Sequence, residues 1–540
     1  MKRFISVVLC VMLVFSITFF SVKKVALSSE KDSEIGVVTT EVFAKISTGG
    51  VIGYKYNGIN TFLGIPYATA KRFEMPKRVS SWQGYRTCFV YGEVCPQGLK
   101  TMNKFDIMCY SNAAIENEES CLTVNVWTPS MDPKAKKPVI VWLHGGGFTT
   151  GSAHEYKFYE GTNLAKFGDI VFVSVNHRLN VLGFLDLSAY GEKYKYSGNA
   201  GMADIISALQ WVRENISVFG GDPNNVTIVG QSGGGSKVTT LMGMPAAKGL
   251  FHKAVVMSGG SAKATRTKAQ AQAETKKLLE ILKISEKEVD KLQTIPYDEL
   301  YAAAQKAGIM FGPVVDGDYY PDGTFKMSKN IPLMCGNVMG EFNTNLTGLL
   351  LGDFPTPEAW QKSNISKISD EEAKKLYKEK YGDKAEAIIQ AFKKAYPGHK
   401  LVEGLFLNDR YGFFSTLSIA DAMVSYGGKV YNYVVAYNYP LFGGIVAVHT
   451  MNDVPFFFYN LDKVPAWIAG DEKTAYKVAK EMATALVNFA RYGNPSQSGL
   501  PWPNYTIKNH ATMIFDKTSG VKYDFDRELF NLIHAAMQNK

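Results

Sequence analysis

Ser232 stands in Gly230-Gln231-Ser232-Gly233-Gly234, a G-x-S-x-G pattern. A serine hydroxyl becomes a useful nucleophile when a turn presents it clear of the chain and a base takes its proton. Glycines two residues to either side permit a sharp strand-to-helix turn, because no Cβ obstructs the approach of the two elements. The same stretch nearly spells a phosphate-binding loop, since Gly230 and Gly235 flank four residues and Lys237 lies just beyond. A Walker loop needs its lysine before the hydroxyl residue, so that each reaches its own phosphate or metal. Here Ser236 comes first and Lys237 second. That inversion turns the ammonium by roughly 100° around a helix, so the nucleophile reading is preferred.

Attack on a carbonyl places negative charge on its oxygen. Fixed backbone N–H groups stabilise that charge well, provided no side chain blocks them. His144-Gly145-Gly146-Gly147-Phe148 follows a strongly apolar run and fits the need. Gly146 and Gly147 are the candidate donors, with the N–H of Gly233, directly after the nucleophile, as the third.

These residues require a scaffold, and the apolar pattern describes one. Residues 37–65 alternate apolar and small residues with Gly and Asn turns, as in an antiparallel meander. Residues 138–148, 169–179, 225–232 and 252–260 each carry a short β-branched run, and residues 203–215 have helical spacing. A strand pattern returns over 428–438, and a late helix over 475–493 closes at Gly493. Strands alternating with helices predict an α/β fold, with a mostly parallel central sheet covered by helices on both faces. Residues 265–306 and 355–397 are rich in Lys, Glu and Ala at helical periodicity. They read as inserted, solvated amphipathic helices, the clearest over 370–396, and such helices can also form a cap over a site. A single domain over residues 29–540 with inserted helices fits better than two domains.

Composition is ordinary for a soluble globular protein: of 540 residues, 46% are hydrophobic and 20% charged. The formal charge of +9 includes Lys2, Arg3, Lys23 and Lys24, with no acid among residues 1–28, so the remainder carries +5. No basic stripe is interleaved with aromatics, and nucleic-acid binding is not expected. Residues 1–28 combine a positive start, a 19-residue apolar run and small residues near Ser28. They read as a cleaved export signal or a retained N-terminal anchor. Cys88, Cys95, Cys109 and Cys121 fall within 34 residues and show no repeated C-x-x-C spacing. Pairing in an oxidising compartment is expected over a zinc site, with all three connectivities open.

The motifs "TFLGIPYATAKRFEMP", "ESCLTVNVWTP", "PVIVWLHGGGF", "NHRLNVLGFL", "GNAGMADIISALQWVRENISVFGGDPNNVTIVGQSGGG", "GPVVDG" and "NFARYGNP" lie within residues 37–515. Together they resemble the type-B carboxylesterases, an α/β-hydrolase family that includes para-nitrobenzyl esterases and cholinesterases. The resemblance implies a serine hydrolase of carboxylic esters with a Ser-His-Glu triad, an acyl-serine intermediate, no metal and no cofactor. Glu341, in "GNVMGEFNTN", matches the family's acid, and His449, in "VAVHTMNDVPFFF", matches its base. The resemblance also implies a Cys95–Cys121 disulfide and leaves Cys88 and Cys109 as a second possibility. Ser258 matches a small polar residue behind the triad and equally suits a strand-end turn.

Three departures stand out. Gly233 replaces a usual alanine, which is expected to loosen the helix start and widen the site. Ser120 replaces a usual acid. Asn452 occupies the place of an acid three residues after the base, with Asp453 next, as though one residue were inserted. The partner expected is a small-molecule ester, with no nucleic acid, and with membrane contact only through an uncleaved N-terminus. The rival readings are a catalytically silent adhesion or binding member of the same fold and, within enzymes, a lipase or an aromatic-acid esterase.

Overall fold

Thirteen strands form the main sheet of the computed structural model, which describes residues 38–98, 112, 114–341, 352–407, 416–444, 446–447 and 453–537. Residues 1–28, Cys109 and His449 lie outside the described residues. The expected meander is present as β1 (Val38–Ile46), β2 (Gly49–Tyr56) and β3 (Ile59–Pro66), joined to β4 (Thr123–Thr128) by antiparallel pairing. The remaining strands are β5 (Lys137–Leu143), β6 (Val171–Val175), β7 (Gly221–Gln231), β8 (Lys253–Met257), β9 (Leu333–Val338), β10 (Val430–Val435), β11 (Thr512–Phe515) and β12 (Gly520–Lys522). Across the sheet the order is β1-β2-β3-β4-β6-β5-β7-β8-β9-β10-β11-β12, with Tyr85–Thr87 added beside β2. From β6 to β11 every pairing is parallel.

The central strands are largely apolar because both faces are buried, yet successive residues still point to opposite sides. In β5, Val139, Val141 and Leu143 enter one core while Ile140 and Trp142 enter the other. In β7, Val226 and Ile228 face the first core and Val229 the second. Helix α1 (Ala200–Asn215) covers the first face through Ile205, Leu209 and Val212. Helix α2 (Gly233–Met242) leaves the end of β7. The insert over 265–306 contains α3 (Lys268–Leu282) and α4 (Tyr297–Ala307), which pack on the same face through Leu278, Leu279, Leu300 and Ala304.

The single amphipathic helix expected over 370–396 is two helices, α5 (Asp370–Tyr381) and α6 (Ala385–Ala395). Gly382, at φ 57°, breaks the run in a conformation that disfavours residues with a Cβ. Ser369 and Glu372 start α5 with a capping box. The pair is not merely solvated, because Tyr377, Ile388 and Phe392 form a third core with Leu529 and Ile533. Beyond it come the short α7 (Val454–Phe457) and the long α8 (Glu472–Tyr492), which covers the second face through Val478, Met482, Leu486 and Phe489.

One buried charge pair ties the turn after β6 to α1. The Arg178 guanidinium grips Asp204 through two bonds, Nε–Oδ2 at 2.8 Å and Nη2–Oδ1 at 2.7 Å, with both side chains almost fully buried. Its Nη1 also donates to the carbonyls of Lys71 and Glu74, so four of the five guanidinium N–H groups are engaged.

Candidate active site

Strand β7 ends at Gln231 and α2 begins at Gly233. Ser232 is the whole turn between them, at φ 56° and ψ −121°, a conformation that costs energy in any residue with a side chain. Two hydrogen bonds hold it: its N–H donates to the Met257 carbonyl of β8 (2.8 Å), and its own carbonyl accepts from Ser236 (3.1 Å). The flanking glycines allow the close approach, since a Cβ on Gly230 would fall 2.2 Å from the Gly234 carbonyl oxygen. A Cβ on Gly234 would fall 2.0 Å from that of Leu143, the last residue of β5.

The glycine run after β5 lies against this turn. A Cβ on Gly145 would sit 3.6 Å from the Ser232 Cβ. Gly146 and Gly147 adopt φ values of 80° and 64°, and the Gly146 carbonyl accepts from Thr149 and Thr150. A Cβ on Gly233 would fall 2.4 Å from the Gly147 nitrogen. The three glycines expected to donate to an oxyanion are therefore gathered beside Ser232. The widening expected from the missing methyl at Gly233 is not found, because Gly147 backbone occupies that space.

Glu341 follows β9 and is buried, 1% exposed, with Oε1 accepting from the Val338 N–H at 3.1 Å. Ser258 ends β8 in a left-handed turn (φ 45°), fully buried, and donates its N–H to the Gly336 carbonyl of β9. Its hydroxyl makes no hydrogen bond among the described residues. Asn452, like His449, lies outside the described residues, but Asp453 is described and completely buried at the start of α7. Burial first, and then the charge of Glu341, push the Asp453 carboxyl well above the usual carboxylate range, while the N–H groups of Asp453 and Val454 pull the other way. The sequence marked Asp453 only as an acid one place late; the buried acidic position belongs to it.

Two other histidines border the glycine run. The His144 and His177 rings stack with centroids 5.1 Å apart. Burial, and next the charge of Lys237, push both well below the usual imidazole value, so both are neutral at pH 7. Both rings also face main-chain carbonyls, His144 Nδ1 with Gly145 (2.9 Å) and His177 Nδ1 with Arg178 (2.7 Å).

All four described cysteines are buried thiols. Cys95 and Cys121 lie within hydrogen-bonding reach of each other, and burial first, then Cys121, raises the Cys95 thiol. Cys88 keeps apart, bonding weakly to the Arg86 carbonyl, and burial pushes it up to about 11. Among the described residues, no group of three or more His, Cys, Asp or Glu side chains has an arrangement that would hold a metal. No described helix is long and apolar enough to cross a membrane.

A doubly covered parallel sheet with a strained serine turn at a strand end, facing a glycine loop from the neighbouring strand, defines an α/β-hydrolase. Residues 40–531 match the Carboxylesterase family. The para-nitrobenzyl esterase of Bacillus subtilis (strain 168) is 32% identical over 512 residues, covering 91% of this chain and 97% of its own. Among solved structures, an esterase from the anaerobe Clostridium hathewayi that can hydrolyse aliphatic aromatic polyesters superposes with a TM-score of 0.83 at 36% identity, covering 93% of this chain and 99% of its own. A carboxylesterase of Geobacillus stearothermophilus gives 0.71 at 33% identity, covering 92% and 99%. The chain belongs to the type-B carboxylesterase family and is a carboxylic-ester hydrolase.

Proposed function

We propose that ester hydrolysis here runs through an acyl-serine intermediate on Ser232. The hydroxyl oxygen attacks the ester carbonyl carbon while the imidazole of His449 takes its proton. The carbonyl oxygen, now negative, is held by the N–H groups of Gly146, Gly147 and Gly233. Collapse breaks the bond to the alkoxy oxygen, and His449 returns the proton to the departing alcohol. Water then attacks the acyl-serine with the same base, releasing the acid and restoring Ser232. Glu341 orients His449 and stabilises its charged form. The observation that carries this reading is the strained Ser232 turn packed against Gly147.

The names of the similar proteins favour aryl-bearing esters as substrates, a para-nitrobenzyl ester or an aromatic polyester segment. Residues 1–28 act as an export signal in this reading, and Cys95 pairs with Cys121 once exported. The test uses Ser232→Ala on para-nitrophenyl acetate, with a serine-directed phosphonate on the wild type. Turnover falls by roughly 10⁴-fold or more, and the phosphonate adduct maps to Ser232. Substantial residual turnover in the alanine variant, or an adduct elsewhere, rules the mechanism out.

A further inference from the structure

The lysine that spoiled the phosphate-loop pattern has an inward role. Lys237 lies on α2, five residues after Ser232, and is 0% exposed. Its Nζ donates to the His144 carbonyl at 2.8 Å and lies 3.5 Å from the Gly145 carbonyl. No carboxylate among the described residues comes within ion-pair distance of it. Burial pulls its amino group down to about 7, opposed among the described residues by the charge of Glu155. The groups facing it are the stacked rings of His144 and His177, both neutral, and the Phe148 ring, whose centre is 6.0 Å from Nζ. Burying a lysine without an anion is costly, and a purely structural tether between a strand end and a helix does not require it.

We propose that Lys237 is a positioning residue for the oxyanion site, fixing the His144 and Gly145 carbonyls so that the N–H groups of Gly146 and Gly147 stay aimed at the reacting carbonyl. The inference rests on the acyl-serine reading above. The geometry is specific to that task. The Gly145 carbonyl shares its peptide plane with the Gly146 N–H, so restraining one end orients the other. That carbonyl faces two groups, His144 Nδ1 at 2.9 Å and Lys237 Nζ at 3.5 Å. Donation to it polarises the peptide and strengthens the N–H at its far side. Positive φ at both Gly146 and Gly147 leaves the loop open to backbone states that ordinary residues cannot enter, so an external tether is needed. An amino group donates whether or not it carries the extra proton, so the tether survives deprotonation.

The test compares full-length wild type with Lys237→Met, which keeps the length and removes the donor, and Lys237→Gln, which keeps a donor with shorter reach. Each is assayed on para-nitrophenyl acetate and titrated with a trifluoromethyl ketone, which forms a tetrahedral adduct with a serine. In the Met variant kcat falls by about 10- to 100-fold, KM changes by less than about threefold, and ketone affinity falls with kcat/KM. The Gln variant lies between. A folded Met variant with kcat and ketone affinity near wild type overturns the proposal, as does a loss confined to KM. If circular dichroism shows the Met variant unfolded, the Gln variant decides by the same criteria. Phosphonate labelling of wild-type Ser232 separates the two ideas, because its failure removes the acyl-serine reading whatever the lysine variants do.

Discussion

Gly233 and Gly147 share one space: a Cβ on Gly233 would lie 2.3 Å from the Gly147 carbonyl oxygen and 2.4 Å from its nitrogen. Both neighbours are backbone, so a methyl group forces the glycine loop aside. Overpacking of this kind costs about 1–3 kcal/mol. Gly233→Ala is therefore expected to lower kcat by about 10-fold or more while the protein stays folded, even though alanine is usual at this place in the family. Steady-state kinetics with the trifluoromethyl ketone as a second probe would check it. Wild-type kcat in the alanine variant would show that the loop yields without moving its N–H groups.

Cys95 and Cys121 are already neighbours as thiols, within hydrogen-bonding reach of each other. Closing the chain between them should contribute about 3.5 kcal/mol by chain entropy, less any strain. Peptide mapping of exported protein without reductant is expected to recover a linked Cys95–Cys121 pair, and reduction to lower the unfolding midpoint. Free thiols at both positions in exported material would refute the pairing.

What the sequence disclosed follows from range. Strands β5 and β7 were legible because a strand buried on both faces is apolar at every position, and the serine turn because glycine spacing is a local requirement. The short β9 and β11 carry apolar runs of only three residues, and neither was expected. Contacts between distant residues left no local trace. Arg178 and Asp204 read as ordinary charges 26 residues apart, yet they form a buried pair. Lysine usually marks a solvated face, so nothing local announced the burial of Lys237. Gly233 suggested a wider site because its missing methyl was visible and the Gly147 backbone filling the space was not.

His399 is clamped on both sides, with Nδ1 2.7 Å from Glu403 and Nε2 3.3 Å from Asp516. Burial opposes its charge, but the bonds to Asp516 and Glu403 prevail and raise it to about 9. A histidine raised in the folded state stabilises fully below its unfolded value of about 6.5, and that contribution is lost as pH rises through about 9. The stabilisation is on the order of 3 kcal/mol. His399→Gln should therefore melt well below wild type at pH 6, with the gap closing by pH 10. A gap that is constant with pH would mean that the clamp acts through packing alone.

In the proposed mechanism, Asp453 and Glu341 are the two buried acids that could serve His449. Two neighbouring carboxylates in a dry site do not both ionise readily, and one keeps its proton. Burial, and next the charge of Glu341, raise the Asp453 carboxyl well above the usual carboxylate range, which favours Asp453 as that one. An acid raised in the folded state binds its proton more tightly there than in the unfolded chain. Its presence therefore costs nothing below about pH 4 and costs progressively more as pH climbs toward its folded value. Asp453→Asn removes that cost, so urea melts should coincide near pH 4 and favour the Asn variant increasingly toward pH 8. Its kcat at neutral pH should remain within about threefold of wild type, because a protonated carboxyl and an amide are close in shape and charge. Glu341→Gln, by contrast, should lose about 10⁴-fold in kcat, as expected when the orienting acid of a triad becomes an amide. If the two results exchange places, Asp453 is the acid of the triad, and the residue inserted after His449 has moved the partner along with it.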